Sequence, residues 1–144
     1  MKTVFRCILI IIFVVIVISI RVTEHNQIET YFKSLNLEMT GVLKNDPDCP
    51  NGYNGFCVLT IDVIKSNISE YDPRNKLPAY YCIIKGRQAE VYQSMASDYK
   101  KGDTVVISTK DRIFQSFRTA TSRPILLNTN ASWFEYLNEY HQKF

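Results

Sequence analysis

Cys49 and Cys57 bracket the stretch Cys49-Pro50-Asn51-Gly52-Tyr53-Asn54-Gly55-Phe56-Cys57, and thiols so placed admit three chemistries. A structural zinc site needs four ligands, commonly in paired Cys-x2–4-Cys spacings. Here seven residues intervene, the remaining cysteines are Cys7 and Cys82, and neither His25 nor His141 is near in sequence. A redox pair would ordinarily be Cys-x-x-Cys at a helix start. The third chemistry is a disulfide across a turn-rich loop, Cys49–Cys57, with Cys57–Cys82 and Cys49–Cys82 as the alternative pairings. Gly52 and Gly55 let the backbone double back, and Asn51 and Asn54 tolerate left-handed conformations.

Other reactive groupings are sparse. The chain has no Gly-x-Ser-x-Gly, no His-Glu-x-x-His and no phosphate-cradling glycine loop, and its acids are scattered. These residues propose no catalytic, metal or cofactor site, and the expectation is a protein that is not an enzyme. Two candidate binding surfaces remain. Tyr71, Arg74, Tyr80 and Tyr81 place aromatics and a guanidinium on or beside one loop, a composition common at recognition surfaces. Lys100, Lys101, Lys110, Arg112, Arg118 and Arg123 form a local basic excess that could face phosphate-bearing headgroups or an acidic partner. Against each stands a plainer role, since strand-edge tyrosines often cover a core and edge lysines deter sheet-to-sheet pairing.

The compartment follows from the N-terminus. An uncharged apolar run, Cys7 to Ile20, is preceded by Lys2 and Arg6, the profile of an export signal. Snorkelling by Arg6 and Arg21 extends it to Val4–Val22, enough to cross a bilayer. The reading is an uncleaved single-span anchor at the cytoplasmic (inner) membrane with the C-terminal domain in the periplasm; export after signal cleavage is the alternative. The net charge of +3 has the same origin. Three of the seventeen basic residues (Lys2, Arg6 and Arg21) lie in the leader, so the remaining fourteen balance fourteen acids. A nucleic-acid partner is not expected from a neutral domain. The compartment favours disulfides.

The elements that must position these residues are one small domain's worth. Residues 1–22 are read as the anchor. Residues 23–36 are read as a juxtamembrane amphipathic helix capped by Thr23, with Ile28, Tyr31, Phe32 and Leu35 at helical spacing. Strands are expected at 37–43, 56–64, 80–85, 103–109 and 112–117, with a short sixth at 124–128. Ala89, Tyr92, Met95 and Tyr99 recur at helical spacing and predict a helix over 87–99. Trp133, Phe134, Leu137 and Tyr140 mark a C-terminal helix within 129–144. Three strands, a helix and two strands over 37–128 is the order of a five-stranded OB-like barrel. A cystatin-like α+β fold is the alternative, and it requires residues 87–99 to be a strand or an insertion.

At this point the stretches Leu37-Glu38-Met39-Thr40-Gly41-Val42-Leu43, Tyr80 to Met95 and Tyr99 to Asp111 carry a resemblance. The chain resembles small, uncharacterised, membrane-anchored or exported proteins of Bacteroidetes-type bacteria with an OB-like barrel. The similarity covers roughly residues 25 to 117 and implies architecture and address rather than a reaction. The cysteine loop and the aromatic tail depart from the pattern. The functional expectation is a non-catalytic envelope protein that binds another protein or an envelope component. An enzyme acting on envelope material and a periplasmic immunity protein are the alternatives.

Overall fold

The computed structural model describes residues 2–51, 55–74 and 76–141. They fall into two units, Met1–Leu35 and Asn36–Phe144.

The first unit is one helix, α1 (Lys2–Leu35). It contains no glycine or proline, so nothing interrupts it where the apolar run ends. Thr23, expected to cap a second helix, instead donates its hydroxyl to the Ser19 carbonyl one turn back, at 2.9 Å. Ser19 does the same to Val15 at 2.8 Å. Folding hydroxyls back onto the helix satisfies them without water, as a hydrocarbon environment requires. Ile8–Leu35 is long and apolar enough to cross a membrane, and its apolar side chains from Ile8 to Ile18 are 41–67% exposed.

The second unit is mainly β. Its strands are β1 (Glu38–Leu43), β2 (Phe56–Ser66), β3 (Glu70–Tyr71), β4 (Cys82–Lys85), β5 (Gln88–Ser94), β6 (Thr104–Ser108), β7 (Ile113–Ser116) and β8 (Thr121–Pro124), followed by helix α2 (Ala131–His141). They form one antiparallel sheet in the order β3-β4-β5-β2-β1-β6-β7-β8.

Two expectations are corrected here. Residues 88–94 are a strand, not a helix. The turn at Gly86-Arg87, with Gly86 at φ 59°, folds β5 back on β4. The Ala89/Tyr92 spacing misleads because β5 is buried on both faces, so no clean two-residue alternation shows. The last short strand is Thr121–Pro124 rather than 124–128. The other expected strands fall on β1, β2, β4, β6 and β7, with β4 beginning at Cys82, and the C-terminal helix is α2. β3 has no counterpart among the expected strands, and the eight-stranded sheet lacks the helix between the third and fourth strands on which the order of a five-stranded OB-like barrel rests.

The sheet is rolled. Five inter-strand steps separate β5 from β8, and at ~4.8 Å per step a flat sheet would hold them about 24 Å apart. Yet Gln93 on β5 donates its amide to the Pro124 carbonyl on β8 at 3.1 Å. Its other end accepts from the Tyr81 hydroxyl at 3.2 Å. Curvature enters at Gly41, where the β1–β2 register shifts between Thr40 and Gly41. A Cβ at Gly41 would sit 2.3 Å from Ile61 Cγ2 and 2.7 Å from the Asp62 carbonyl oxygen. Only glycine lets the backbones approach that closely.

Rolling encloses one core and leaves an outer face for a second. Leu43, Leu59, Ile61, Ile84, Val91, Ile107 and Phe114 are buried inside. Phe56, Val58, Thr60, Glu90 and Tyr92 occupy the opposite face of β2 and β5, cross-strand from one another or from their neighbours, and are also buried. Helix α2 covers this face. Trp133, fully buried with Leu137 one turn away, has its ring centroid 6.0 Å from Phe56 and 6.1 Å from Tyr92. Asn130 caps α2 by accepting the Ser132 N–H at 3.0 Å.

Candidate functional site

The cysteine loop is closed by Cys49–Cys57. The pairing follows from the sheet. Segment 44–49 continues beside β2 after β1 ends: Lys44 donates to the Thr60 carbonyl, and Asp48 and Val58 exchange backbone hydrogen bonds of 3.0 and 2.7 Å. The next pair outward is Cys49 opposite Cys57. Gly55 takes φ 72°, the left-handed turn expected of it; Gly52 and Asn54 lie outside the described residues. Cys82 is a buried free thiol whose pKa burial drives up. It faces Val91, and Val91 faces Leu59, so two inter-strand steps separate it from β2. That ~9.6 Å exceeds the Cα reach of a disulfide, which rules out the alternative partners.

The aromatic loop is divided between surface and interior. Tyr71 and Arg74 are half-buried at the surface, whereas Tyr80 and Tyr81 are buried and are corrected from the candidate surface. The reason is that both faces of the sheet are covered at β4. Tyr80 lies among the residues beneath α2, with ring centroids 5.6 Å from Tyr92 and 5.1 Å from Phe134; burial pushes its hydroxyl up to about 12. Tyr81 turns inward to Gln93. Arg74 pairs with Asp72 in a bidentate contact along one guanidinium edge, Nε to Oδ1 at 2.8 Å and Nη2 to Oδ2. That hydrogen bond, more than any other influence, holds the Asp72 carboxyl down at about 2.

The basic residues do not make one face. Lys100 and Lys101 precede β6 and Lys110 follows it, so the exposed lysines sit at opposite ends of that strand. The three arginines brace turns. Arg118 donates to Asp103 Oδ1 and to the Asp98 carbonyl, each at 2.6 Å. Arg123 reaches Asp98 Oδ2 at 2.8 Å and lies 5.5 Å over the Tyr99 ring. Arg112 donates to the Ile125 carbonyl at 3.2 and 2.9 Å. Asp103 is buried, which raises its pKa, but Arg118 and the Lys100 N–H outweigh burial and leave it lowered.

Three features of the site region escape a linear reading. Glu90 is a buried carboxylate beneath α2, accepting the Tyr92 hydroxyl at 3.2 Å. Asn67 clamps the start of β1, its Oδ1 accepting the Glu38 N–H at 2.8 Å and its Nδ2 donating to the Asn36 carbonyl at 2.7 Å. The outer face of β1 and β2 carries two shallow hollows of about 260 and 360 Å3, one beside Thr40, Lys65 and Val106, the other beside Val42, Asp62 and Ile64. The Gly86-Arg87 turn, which makes 88–94 a strand, was the available signal for Glu90. Nothing local announced the other two. Among the described residues, no three His, Cys, Asp or Glu side chains converge as metal ligands would.

No protein-family model matches the chain, and no curated protein or solved structure is significantly similar to it.

Proposed function

We propose that this is a non-catalytic, single-span envelope protein whose β domain stands on the periplasmic side of the cytoplasmic membrane and binds another protein or an envelope component. The observation that carries the proposal is α1, whose apolar side chains are exposed along the whole run from Ile8 to Ile18. Exposed apolar surface of that extent is costly in water and ordinary in lipid. Lys2 and Arg6 precede the run, which favours a cytoplasmic N-terminus. The Cys49–Cys57 disulfide suits an oxidising compartment. Confinement to a surface raises the domain's effective concentration toward its neighbours, so weak contacts can suffice.

In this reading the rolled sheet is an OB-like barrel. Its five strands are β1, β2, β5, β6 and β7, with β5 taking the third place expected for 80–85 and no helix between the third and fourth. Their order β5-β2-β1-β6-β7 in the sheet supports the reading, while the Gln93–Pro124 contact closes β5 onto the neighbouring β8. This architecture also fits the resemblance to the Bacteroidetes-type exported proteins. The face of the second and third barrel strands, which OB-folds use for ligands, lies beneath α2. Contact with a partner therefore falls to surface residues such as Tyr71 and Arg74.

The test is protease accessibility of tagged protein in cells whose outer membrane has been opened. The C-terminal domain is expected to be digested while an N-terminal tag remains associated with the membrane and protected. A shielded C-terminal domain refutes the topology, and a mature chain lacking the N-terminal tag refutes the tether. Photo-crosslinking from position 71 or 74 in intact cells is expected to give a discrete adduct that disappears when the probe is moved to buried position 81.

A further inference from the structure

The residues adjoining each half of the disulfide are also those that receive α2. Asp48, next to Cys49, accepts the Tyr136 hydroxyl at 2.9 Å. Phe56, next to Cys57, packs against Trp133. The other aromatic contacts of the helix, Trp133 with Tyr92 and Phe134 with Tyr80, come from β5 and from the approach to β4. Part of the helix's seat is thus built on the disulfide's own neighbours.

We propose that Cys49–Cys57 is a redox latch for α2: oxidised, it holds the helix over the outer face of β2 and β5, and reduced, it releases the helix and uncovers that face. Three observations bear on this. First, α2 has 11 residues, short of the length at which a helix persists in water without packing, so its structure depends on the seat. Second, the face beneath it is not a plain apolar contact. Glu90 and Thr60 lie there with Tyr92 and Phe56, Glu90 accepting the Tyr92 hydroxyl, so the face carries polar groups that water can solvate once it is uncovered. Third, the two sulfurs differ in access, Cys49 being half-buried and Cys57 buried.

The chemistry is a thiol–disulfide exchange. A thiolate of an exported dithiol reductant attacks the Cys49 sulfur, and the Cys57 thiolate leaves and is protonated. The reductant's second thiol then displaces Cys49 as a thiol and departs as a disulfide. Two electrons and two protons have moved to the pair. The proposal adds control of access to the binding domain described above. It relies on that reading only for the compartment in which the reductant acts.

Trp133 is the single tryptophan, so its emission reports the position of α2. The full chain in detergent micelles would be reduced with a phosphine, and newly exposed thiols counted by alkylation. The expected result is a red shift of Trp133 emission and a several-fold rise in acrylamide quenching, with the sheet signal in far-UV circular dichroism unchanged. Tyr136→Phe, which removes the hydroxyl contact to Asp48 and keeps the ring, should leave Trp133 shielded when oxidised and release it more readily on reduction. If Trp133 stays shielded after both thiols are alkylated, the latch is wrong. If the sheet signal is lost together with the tryptophan shift, the disulfide merely stabilises the domain and the latch is equally wrong. Neither failure touches the tether, which is read by topology.

Discussion

Replacing Gly41 by alanine adds one methyl group at the tightest backbone approach in the sheet. The new Cβ would lie 2.3 Å from Ile61 Cγ2 and 2.7 Å from the Asp62 carbonyl oxygen, against an ordinary contact of at least 3.4 Å. More than an ångström must be found, and β1 cannot slide aside because it is paired with β2 on one edge and β6 on the other. Overpacking of this kind costs ~1–3 kcal/mol, and a backbone obstacle puts it near 3. Alanine's smaller unfolded-state entropy returns ~0.4–1 kcal/mol. The net loss is about 2 kcal/mol, or roughly 8 °C in Tm at the ~4 °C per kcal/mol usual for a domain near 100 residues. The assay is a thermal melt of the full chain in detergent, followed by Trp133 fluorescence and circular dichroism. Ile61→Ala removes the nearer obstacle and leaves the farther one, so Gly41→Ala should cost about half as much in that background. A melting point within ~2 °C of the parent, or strict additivity with Ile61→Ala, would refute the close-approach account of the bulge.

Three further outcomes are expected. Asn67→Ala removes both clamp hydrogen bonds at the start of β1 and should lower stability by about 1–2 kcal/mol in urea titrations, with Asn67→Asp losing only the donor half. The Asp72 carboxyl, held at about 2, is below its unfolded value, so its pairing with Arg74 contributes fully above pH ~4 and is lost as pH falls through about 2; carboxyl NMR should show this, and Arg74→Ala should return the group to the ordinary range. Arg118→Ala should raise the Asp103 pKa, because burial then acts against fewer partners. That variant should begin acid unfolding at higher pH than the parent, measured by circular dichroism.

The sequence reads clearly wherever one face of an element meets water. β1 alternates Met39, Gly41 and Leu43 inward with Glu38, Thr40 and Val42 outward, and its pattern is legible at once. α2 likewise shows Trp133 and Leu137 one turn apart on its buried side. Reading fails where both faces are covered. Every residue from Ala89 to Ser94 is buried, since β5 faces the rolled interior on one side and α2 on the other, and its aromatic spacing then imitates a helix. Gly86-Arg87 between two branched runs was the better guide, as a two-residue hairpin turn. The same double covering withdrew Tyr80 and Tyr81 from the surface, whereas the cysteine loop was legible because its closure is local. The Asn67 clamp joins residues 29 and 31 positions apart, a distance no local pattern spans.

Cys82 has a consequence for how the domain acquires its crosslink. Shielded inside the sheet and with its thiol held in the protonated form, it cannot attack Cys49 or Cys57 once the strands have closed. Exchange with Cys82 within residues 36–144 is therefore confined to the interval before β4 docks. The docking of β4 thus withdraws the third thiol from the exchange and leaves Cys49 and Cys57 with each other alone.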